Sequence, residues 1–359
     1  MKLLRLLLFP FSILYGFGVL LRNLAYDFGL LKSIKFKIPV ISVGNLAVGG
    51  SGKSPMTEYL INLLKWDFTL AMVSRGYGRK TKGFRFVDEN DTVEKSGDEP
   101  LQIKRKFEGI TVAVCESRLE AIEQIEWEND LIILDDAFQH RSVKPGLSIL
   151  LFEYSSFQNA QFLMPAGNLR EPMSQKKRAD IVVVTKCTQT IDESQKQHIA
   201  RKLNLNVNQS LFFSFLKYGK LKSVYEDCLS RSMSSLNSAS TIILLSGIAN
   251  PKPLLDVLHE SEAKLMHHNY PDHHNFTEKN IAKLVREITE LKKGDNLIIT
   301  TEKDAQRLNS KQFKSQLKGI PVFYLPIEAD FDETEKSSFN NLIINYAKES
   351  AVDRRLYQA

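Results

Sequence analysis

From Ile38 onward the chain repeats one pattern, a short apolar run followed by an amphipathic stretch. The runs are Ile38–Val43, Thr69–Val73, Thr111–Val114, Leu131–Leu134, Leu147–Phe152 and Ile181–Val184. Runs this short and this rich in β-branched residues suit strands buried on both faces, the condition of a parallel sheet. Ser54–Leu64, Glu99–Phe107, Arg118–Ile125 and Glu193–Leu203 lie between them with helical periodicity. The alternation predicts an α/β fold with a doubly wound, mostly parallel sheet. At 359 residues the chain exceeds one ordinary core, so a second unit is expected. Strands restart at Ile242–Leu245, Asn296–Thr300 and Val322–Leu325, with helices at Pro253–His259 and Glu278–Leu291, which predicts a smaller α/β domain. Leu211–Val224 reads as a hairpin turning at Gly219, and the polar Ser230–Ser240 as a linker. The resulting division is an N-terminal segment 1–36, a larger domain 37–228 and a smaller one 229–359.

Ahead of this pattern, Leu6–Leu21 (LLLFPFSILYGFGVLL) is sixteen residues without a charge. A bilayer span needs ~20, and Pro10 starts or kinks the helix. Three readings fit: a signal peptide, a buried core helix, or a membrane-inserted or interfacial helix. No small-residue cleavage site follows, and a core helix at a chain end rarely lacks a polar face. Membrane association is the favoured reading, with flanking Arg and Lys at the headgroups. The charge agrees: within the first forty residues Lys2, Arg5, Arg22, Lys32, Lys35 and Lys37 face only Asp27, so nearly all of the net +6 sits beside the apolar segment. That placement suits anionic lipid and counts against nucleic acid, which needs a basic folded face. The cations after the segment favour a cytoplasmic body. Three scattered cysteines, Cys115, Cys187 and Cys228, exclude a disulfide framework and a thiolate zinc site.

The first strand runs directly into Ala47-Val48-Gly49-Gly50-Ser51-Gly52-Lys53-Ser54, and a helix follows. This is a phosphate-binding loop: backbone N–H groups close on phosphate oxygens, Lys53 reaches the outer phosphates and the Ser54 hydroxyl can ligate Mg²⁺. Ala47 stands where the first glycine of that pattern belongs. A second strand ends in Asp135-Asp136. Ligands of open α/β sheets sit beyond the carboxyl ends of the strands, so these acids share the loop's rim and either can hold the metal, directly or through water.

The order and spacing of further motifs resemble the tetraacyldisaccharide 4'-kinase family, over roughly residues 5–310. They are GNLAVGGSGKSP (44–55), SRGYGR (74–79), SGDEP (96–100), DDAFQHR (135–141), MPAGNLREP (164–172) and VVTK (183–186). LSGIANP (245–251), YPDHHNF (270–276) and TTEKDA (300–305) complete the series. Ala137 replaces a usual glycine and Ser54 a common threonine; neither change removes a reactive group. The resemblance implies transfer of the γ-phosphate of ATP, with Mg²⁺, to the 4'-hydroxyl of a tetraacyldisaccharide 1-phosphate, giving lipid IVA. It implies work at the cytoplasmic face of the bacterial inner membrane, with an acylated glycolipid substrate, membrane lipid as partner, and no obligatory protein partner. Asp98 resembles the family's catalytic aspartate, although Gly97 before it and Pro100 after it also suit a helix cap. His273 resembles the residue paired with it, which requires the second domain to fold over the first. Lys53, Arg118, Arg170 and Glu171 complete the catalytic candidates, Arg170 as a neutraliser of transferring-phosphate charge. Arg75 and Arg79 suit either the substrate's 1-phosphate or the nucleotide. His267, His268, His273 and His274 fall close together but match no structural zinc spacing. The alternative function is a membrane-docked nucleotide switch with slow hydrolysis; against a guanine-reading version, no Asp stands two residues after Lys186.

Overall fold

The computed structural model describes residues 5, 7–225, 230–291 and 294–356. Helix α1 (Phe9–Asp27) leads into strand β1 (Val40–Asn45), helix α2 (Lys53–Leu64), strands β2 (Leu70–Ser74) and β3 (Arg85–Phe86), and helices α3 (Val93–Ser96) and α4 (Asp98–Lys106). Strand β4 (Thr111–Val114), helix α5 (Arg118–Ile125), strands β5 (Leu131–Asp135), β6 (Leu147–Glu153) and β7 (Ile181–Cys187), helix α6 (Glu193–Leu203) and strand β8 (Ser210–Tyr218) follow. These strands form one sheet in the order β8-β7-β6-β1-β5-β2-β4-β3. All neighbours are parallel except the short edge strand β3. Every residue of β1, β2 and β5 is buried, as a sheet covered on both faces requires. Alternate side chains serve opposite layers. Ile41 and Val43 pack with Met56, Leu60 and Leu101, while Val40 packs with Ala121 and Ile122 on the other face. The fold class expected from the alternation is therefore present, and β1 lies between β5 and β6 at the point where strand order reverses.

The second unit holds strands β9 (Leu221–Ser223), β10 (Ser230–Arg231), β11 (Ser240–Ser246), β12 (Lys264–Asn269), β13 (Asp295–Thr301) and β14 (Val322–Leu325), ordered β10-β9-β14-β13-β11-β12. Helices α7 (Lys252–His259), α8 (Glu278–Glu290), α9 (Glu302–Leu308) and α10 (Lys311–Gln316) accompany them. A reciprocal cap starts α8, Thr277 and Asn280 each satisfying the other's backbone N–H.

Three expectations need revision. Residues 211–224 are not a hairpin, because β8 pairs with β7 whereas β9 pairs with β10 and β14. The chain instead crosses between sheets at Gly219. The polar stretch 230–240 is not the linker: it contains β10 and a loop entering β11, within the second unit. The C-terminal residues expected in the smaller domain return to the larger one. Strand β15 (Ile327–Phe331) joins β8 antiparallel at the sheet edge, and helix α11 (Glu333–Leu356) buries Phe339, Ile343 and Ala347 in the larger core. Both misreadings of the crossing share a cause. A glycine between apolar runs and a polar stretch mark turns and loops, but not which sheet receives the chain. The real crossing consists of two strands side by side, where the Gly219 N–H donates to the Pro326 carbonyl at 3.0 Å.

Helix α1 inverts the usual arrangement. Only Ser12 and Asn23 are buried, while Leu14 and Phe17 are 69% and 59% exposed. Ser12 donates to the Leu163 carbonyl and accepts from the Ala166 N–H, so polar groups tie the helix to the body. Among the described residues, no helix is long and apolar enough to cross a membrane.

Candidate active site

Both units turn the carboxyl ends of their parallel strands towards one cleft of about 780 Å³. The phosphate loop leaves β1 there. Gly52 has φ +81°, a left-handed conformation that favours glycine, and it packs against the Thr185 side chain. The loop is braced from outside. Thr185 donates its hydroxyl hydrogen to the Ser51 carbonyl at 2.8 Å. Val48 N–H donates to the Asn168 carbonyl and Arg170 N–H to the Leu46 carbonyl. Ala47 itself bridges Leu169 antiparallel, which accounts for a loop that closes without the first glycine. Lys53 Nζ lies 3.5 Å from Asn45 Oδ1 and 3.7 Å from Asp136 Oδ1.

Asp135 and Asp136 end β5 as expected, but in different environments. Asp135 is buried, with Thr57 and Ser74 hydroxyls at its two oxygens. Burial, reinforced by the charges of Glu99 and Asp136, pushes its pKa up to about 7. Asp136 adopts φ +46°, and Arg170 Nη1 donates to both its oxygens at 3.0 Å. Burial opposes ionisation there, but Lys53 and Arg170 outweigh it and hold the carboxyl below its ordinary value.

Glu99 stands opposite. Its Oε1 accepts from the Ser54 hydroxyl at 3.0 Å and pairs with Lys303 of the second unit. Among the described residues no three His, Cys, Asp or Glu side chains form a ready-made metal cage. A Mg²⁺ site need not contain one, because this ion keeps waters and shares ligands with phosphates. The donor set fits it: hard oxygens from Ser54, Asp135, Asp136 and Glu99, with Asp135 short of positive charge.

Asp98 and His273, 175 positions apart, meet across the cleft. Asp98 Oδ2 lies 2.9 Å from His273 Nδ1 and also pairs with Arg307, while Oδ1 accepts from the Glu99 N–H at 2.9 Å. Asp98 is the first residue of α4 rather than its cap. That position belongs to Gly97 at φ +88°, where a Cβ would sit 3.0 Å from the Tyr77 carbonyl oxygen. Burial resists the Asp98 charge, but the His273 hydrogen bond and the charges of Lys303 and Arg307 prevail and keep the carboxyl well below the usual range. His273 is shifted upward by the same hydrogen bond, against its own desolvation.

The remaining candidates separate. Arg118 is buried behind the carboxylates, with Nη1 on the Cys115 carbonyl and Nη2 on the Asp135 carbonyl. It braces strand ends and supplies background charge. Glu171 lines the α1 side of the cleft, buried, 3.8 Å from Arg22 and paired with Arg178. Arg79 pairs with Glu116 at 2.7 Å and donates to the Gly83 carbonyl, whereas Arg75 is exposed at the cleft. Of the histidines, His268 pairs with Glu287 and His267 with Ser246, which disperses them. Helix α1 reaches the cleft through Tyr15, Val19 and Arg22. Cys228 falls outside the described residues, while Cys115 and Cys187 are buried and free.

Glu99, Lys303 and Arg307 were not singled out by sequence reasoning. Glu99 and Lys303 lie within motifs already noted, whereas Arg307 falls outside them. Glu99 adjoins Asp98, and Lys303 stands two residues after the strand-end Thr301.

The family model for tetraacyldisaccharide-1-P 4'-kinase matches residues 4–346. A tetraacyldisaccharide 4'-kinase of Bacteroides fragilis is 44% identical over 350 residues, covering 96% of this chain and 93% of that protein. One of Flavobacterium johnsoniae is 42% identical over 353 residues, covering 98% and 99%. The crystal structure of Aquifex aeolicus LpxK in complex with ATP superposes with a TM-score of 0.75 at 30% identity, covering 96% of this chain and 99% of that one.

Proposed function

The chain belongs to the tetraacyldisaccharide-1-P 4'-kinase family, and we propose from this premise how its cleft carries out the transfer. It is an ATP-dependent kinase that phosphorylates the lipid A disaccharide precursor at its 4'-hydroxyl. The observation that carries the residue assignment is the Asp98–His273 hydrogen bond at 2.9 Å, formed between units above the phosphate loop.

Residues 47–54 cradle the triphosphate and Lys53 meets its outer phosphates. Ser54 with Asp135, Asp136 or Glu99 would hold Mg²⁺, which would supply positive charge to the phosphate oxygens. Asp98 accepts the proton of the 4'-hydroxyl as the sugar oxygen attacks. Its depressed basicity suits a loose transition state, in which the attacking oxygen needs alignment before it needs deprotonation. His273 fixes Asp98 Oδ2 by its Nδ1 contact, and the Glu99 N–H fixes Oδ1, so both oxygens of the base are held in place. Arg170 holds Asp136 beside Lys53, and Arg118 holds the end of β5 in place.

Helix α1 lies in the membrane interface, with Phe11, Leu14, Phe17 and Leu21 in the lipid and Tyr15 and Arg22 in the cleft. The exposed apolar face, joined to the body by polar contacts, supports this. It presents the cleft at the surface where an acylated substrate resides. Phe17→Glu combined with Leu14→Glu should shift the protein from the vesicle fraction to the supernatant in flotation. Unchanged flotation would remove the helix as the anchor.

The function test is mass spectrometry of the glycolipid in detergent after incubation with Mg·ATP. A gain of one phosphoryl group is expected, and none with Lys53→Ala. A glycolipid unchanged by the wild-type protein, with phosphate released instead, would favour the slow nucleotide switch.

A further inference from the structure

Of the residues lining the cleft, Lys303 is a second-unit lysine with no role in this scheme. Lys303, at the start of α9, carries its ammonium across the interface to Glu99 Oε1, the same oxygen that accepts the Ser54 hydroxyl at 3.0 Å. One carboxylate oxygen thus joins the phosphate loop to the second unit. The other second-unit groups here are committed to the base: His273 and Arg307 both contact Asp98, and Arg307 is further fixed by Asp304 at 2.5 Å and the Gly247 carbonyl at 3.1 Å. Lys186 pairs with Glu153 on the larger unit. Lys303 differs from His273 and Arg307 in making no direct contact with Asp98: it acts on that carboxylate through charge alone, and its own ion pair is with Glu99.

Its carboxylate partner is also the oxygen a divalent ion at Ser54 would claim. A lysine ammonium and a divalent cation compete for one oxygen, and the loser seeks the nearest anion. Nucleotide supplies that anion. Bound Mg·ATP adds net negative charge at the loop, with the γ-phosphoryl outermost, and a four-carbon stem can turn towards it.

We propose that Lys303 is a catalytic cation delivered by the second unit, exchanging Glu99 for the γ-phosphoryl group when Mg·ATP binds, so that closure of the cleft reads the presence of the third phosphate. This rests on the kinase reading above and adds a residue to it. In the transfer, the bond from the 4'-oxygen to the γ-phosphorus forms as the β–γ bridge breaks. The hydroxyl proton passes to Asp98, ADP carries away the bridging electron pair, and Lys303 neither gives nor takes a proton.

The test is calorimetric titration of the full chain in detergent with Mg·ATP and with Mg·ADP, without lipid acceptor. Wild type is expected to favour ATP. Lys303→Met should cut the ATP-to-ADP affinity ratio by ~10-fold, the loss of one charge-assisted contact, and leave ADP affinity within about twofold. Lys303→Gln keeps a hydrogen bond to Glu99 without the charge and should show the same drop. In turnover with lipid, both should lose ~10²-fold in kcat, the scale of a lost transition-state donor, with little change in lipid KM. Equal weakening of both nucleotides, or a wild-type ratio in the Gln variant, would make Lys303 a structural latch and overturn the proposal. Wild-type protein that binds neither nucleotide would overturn the kinase reading along with it.

Discussion

The two walls of the cleft are built differently. On the larger unit, the reactive groups are set by backbone and strand: the loop is tied by 168–170 and Thr185, and Asp135 is fixed by burial at a strand end. On the second unit they arrive as side chains bridging a gap. Helix α4 faces α9 through Asp98–Arg307, Glu99–Lys303, Arg105–Gln306 and Lys106–Glu302. Lys106 also reaches Glu58, whose pKa burial and the Glu302 charge raise to about 7. A wall made of folded backbone is present whether or not ligand is. A wall made of charge pairs lasts only while the pairs are complementary. Under the proposed assignment, the binding groups sit on the permanent side, and the Asp98–His273 pair exists only where the two units meet.

The largest expected effect tests that dependence. Arg307→Met leaves Asp98 buried without one of its cations, and breaking such a pair costs ~3–5 kcal/mol. Urea unfolding should show the loss, with the second unit melting ahead of the first. A single unshifted transition would mean the walls are not separable. Next, Asp98→Ala should lower turnover by ~10²-fold or more, the scale of a missing general base, while nucleotide affinity measured by titration stays near wild type. Lost nucleotide affinity would instead place Asp98 with the permanent wall.

The smallest effect concerns pH. His273 faces Asp98, Asp272 at 3.9 Å, Arg307, Lys303 and the Tyr77 ring. Its folded pKa lies above the ordinary 6.5. Its contribution is thus complete below that value and disappears as pH rises through the folded pKa. The stability gap between wild type and His273→Ala, measured by urea unfolding at a series of pH values, should narrow as pH rises through the folded pKa of His273. A gap that widens with pH would show that the imidazole is neutral in the fold. Asp98, shifted the other way, loses its contribution only as pH falls below its ordinary 3.8.

The same contrast governs what could be read from sequence. The phosphate loop was legible because a strand, three glycines, a lysine and a serine carry the site within a dozen consecutive residues. Asp135 and Asp136 were legible as a strand end. Asp98 and His273 came from the family resemblance; on residues alone, Asp98 looked more like a cap than a base. Lys303 and Arg307 were missed because their meaning depends on α9 facing α4, which no local pattern encodes. Glu171 was singled out with its neighbour Arg170; it does line the cleft, but its ion pair with Arg178 could not be read from the local sequence. The return of β15 was hidden for a similar reason: Phe339 and Ile343 mark a buried helix face, but not the sheet beneath it.

The paired crossing at Gly219 and Pro326 has a consequence for modularity. Residues on either side, Tyr218 and Ile327, already face each other as antiparallel neighbours. Everything between them is an excursion that starts and finishes at one point. Deleting it and joining the ends with a two-residue Asn-Gly turn would leave every strand of the larger sheet with its neighbours. The product would be a miniature that grips nucleotide and cannot spend it.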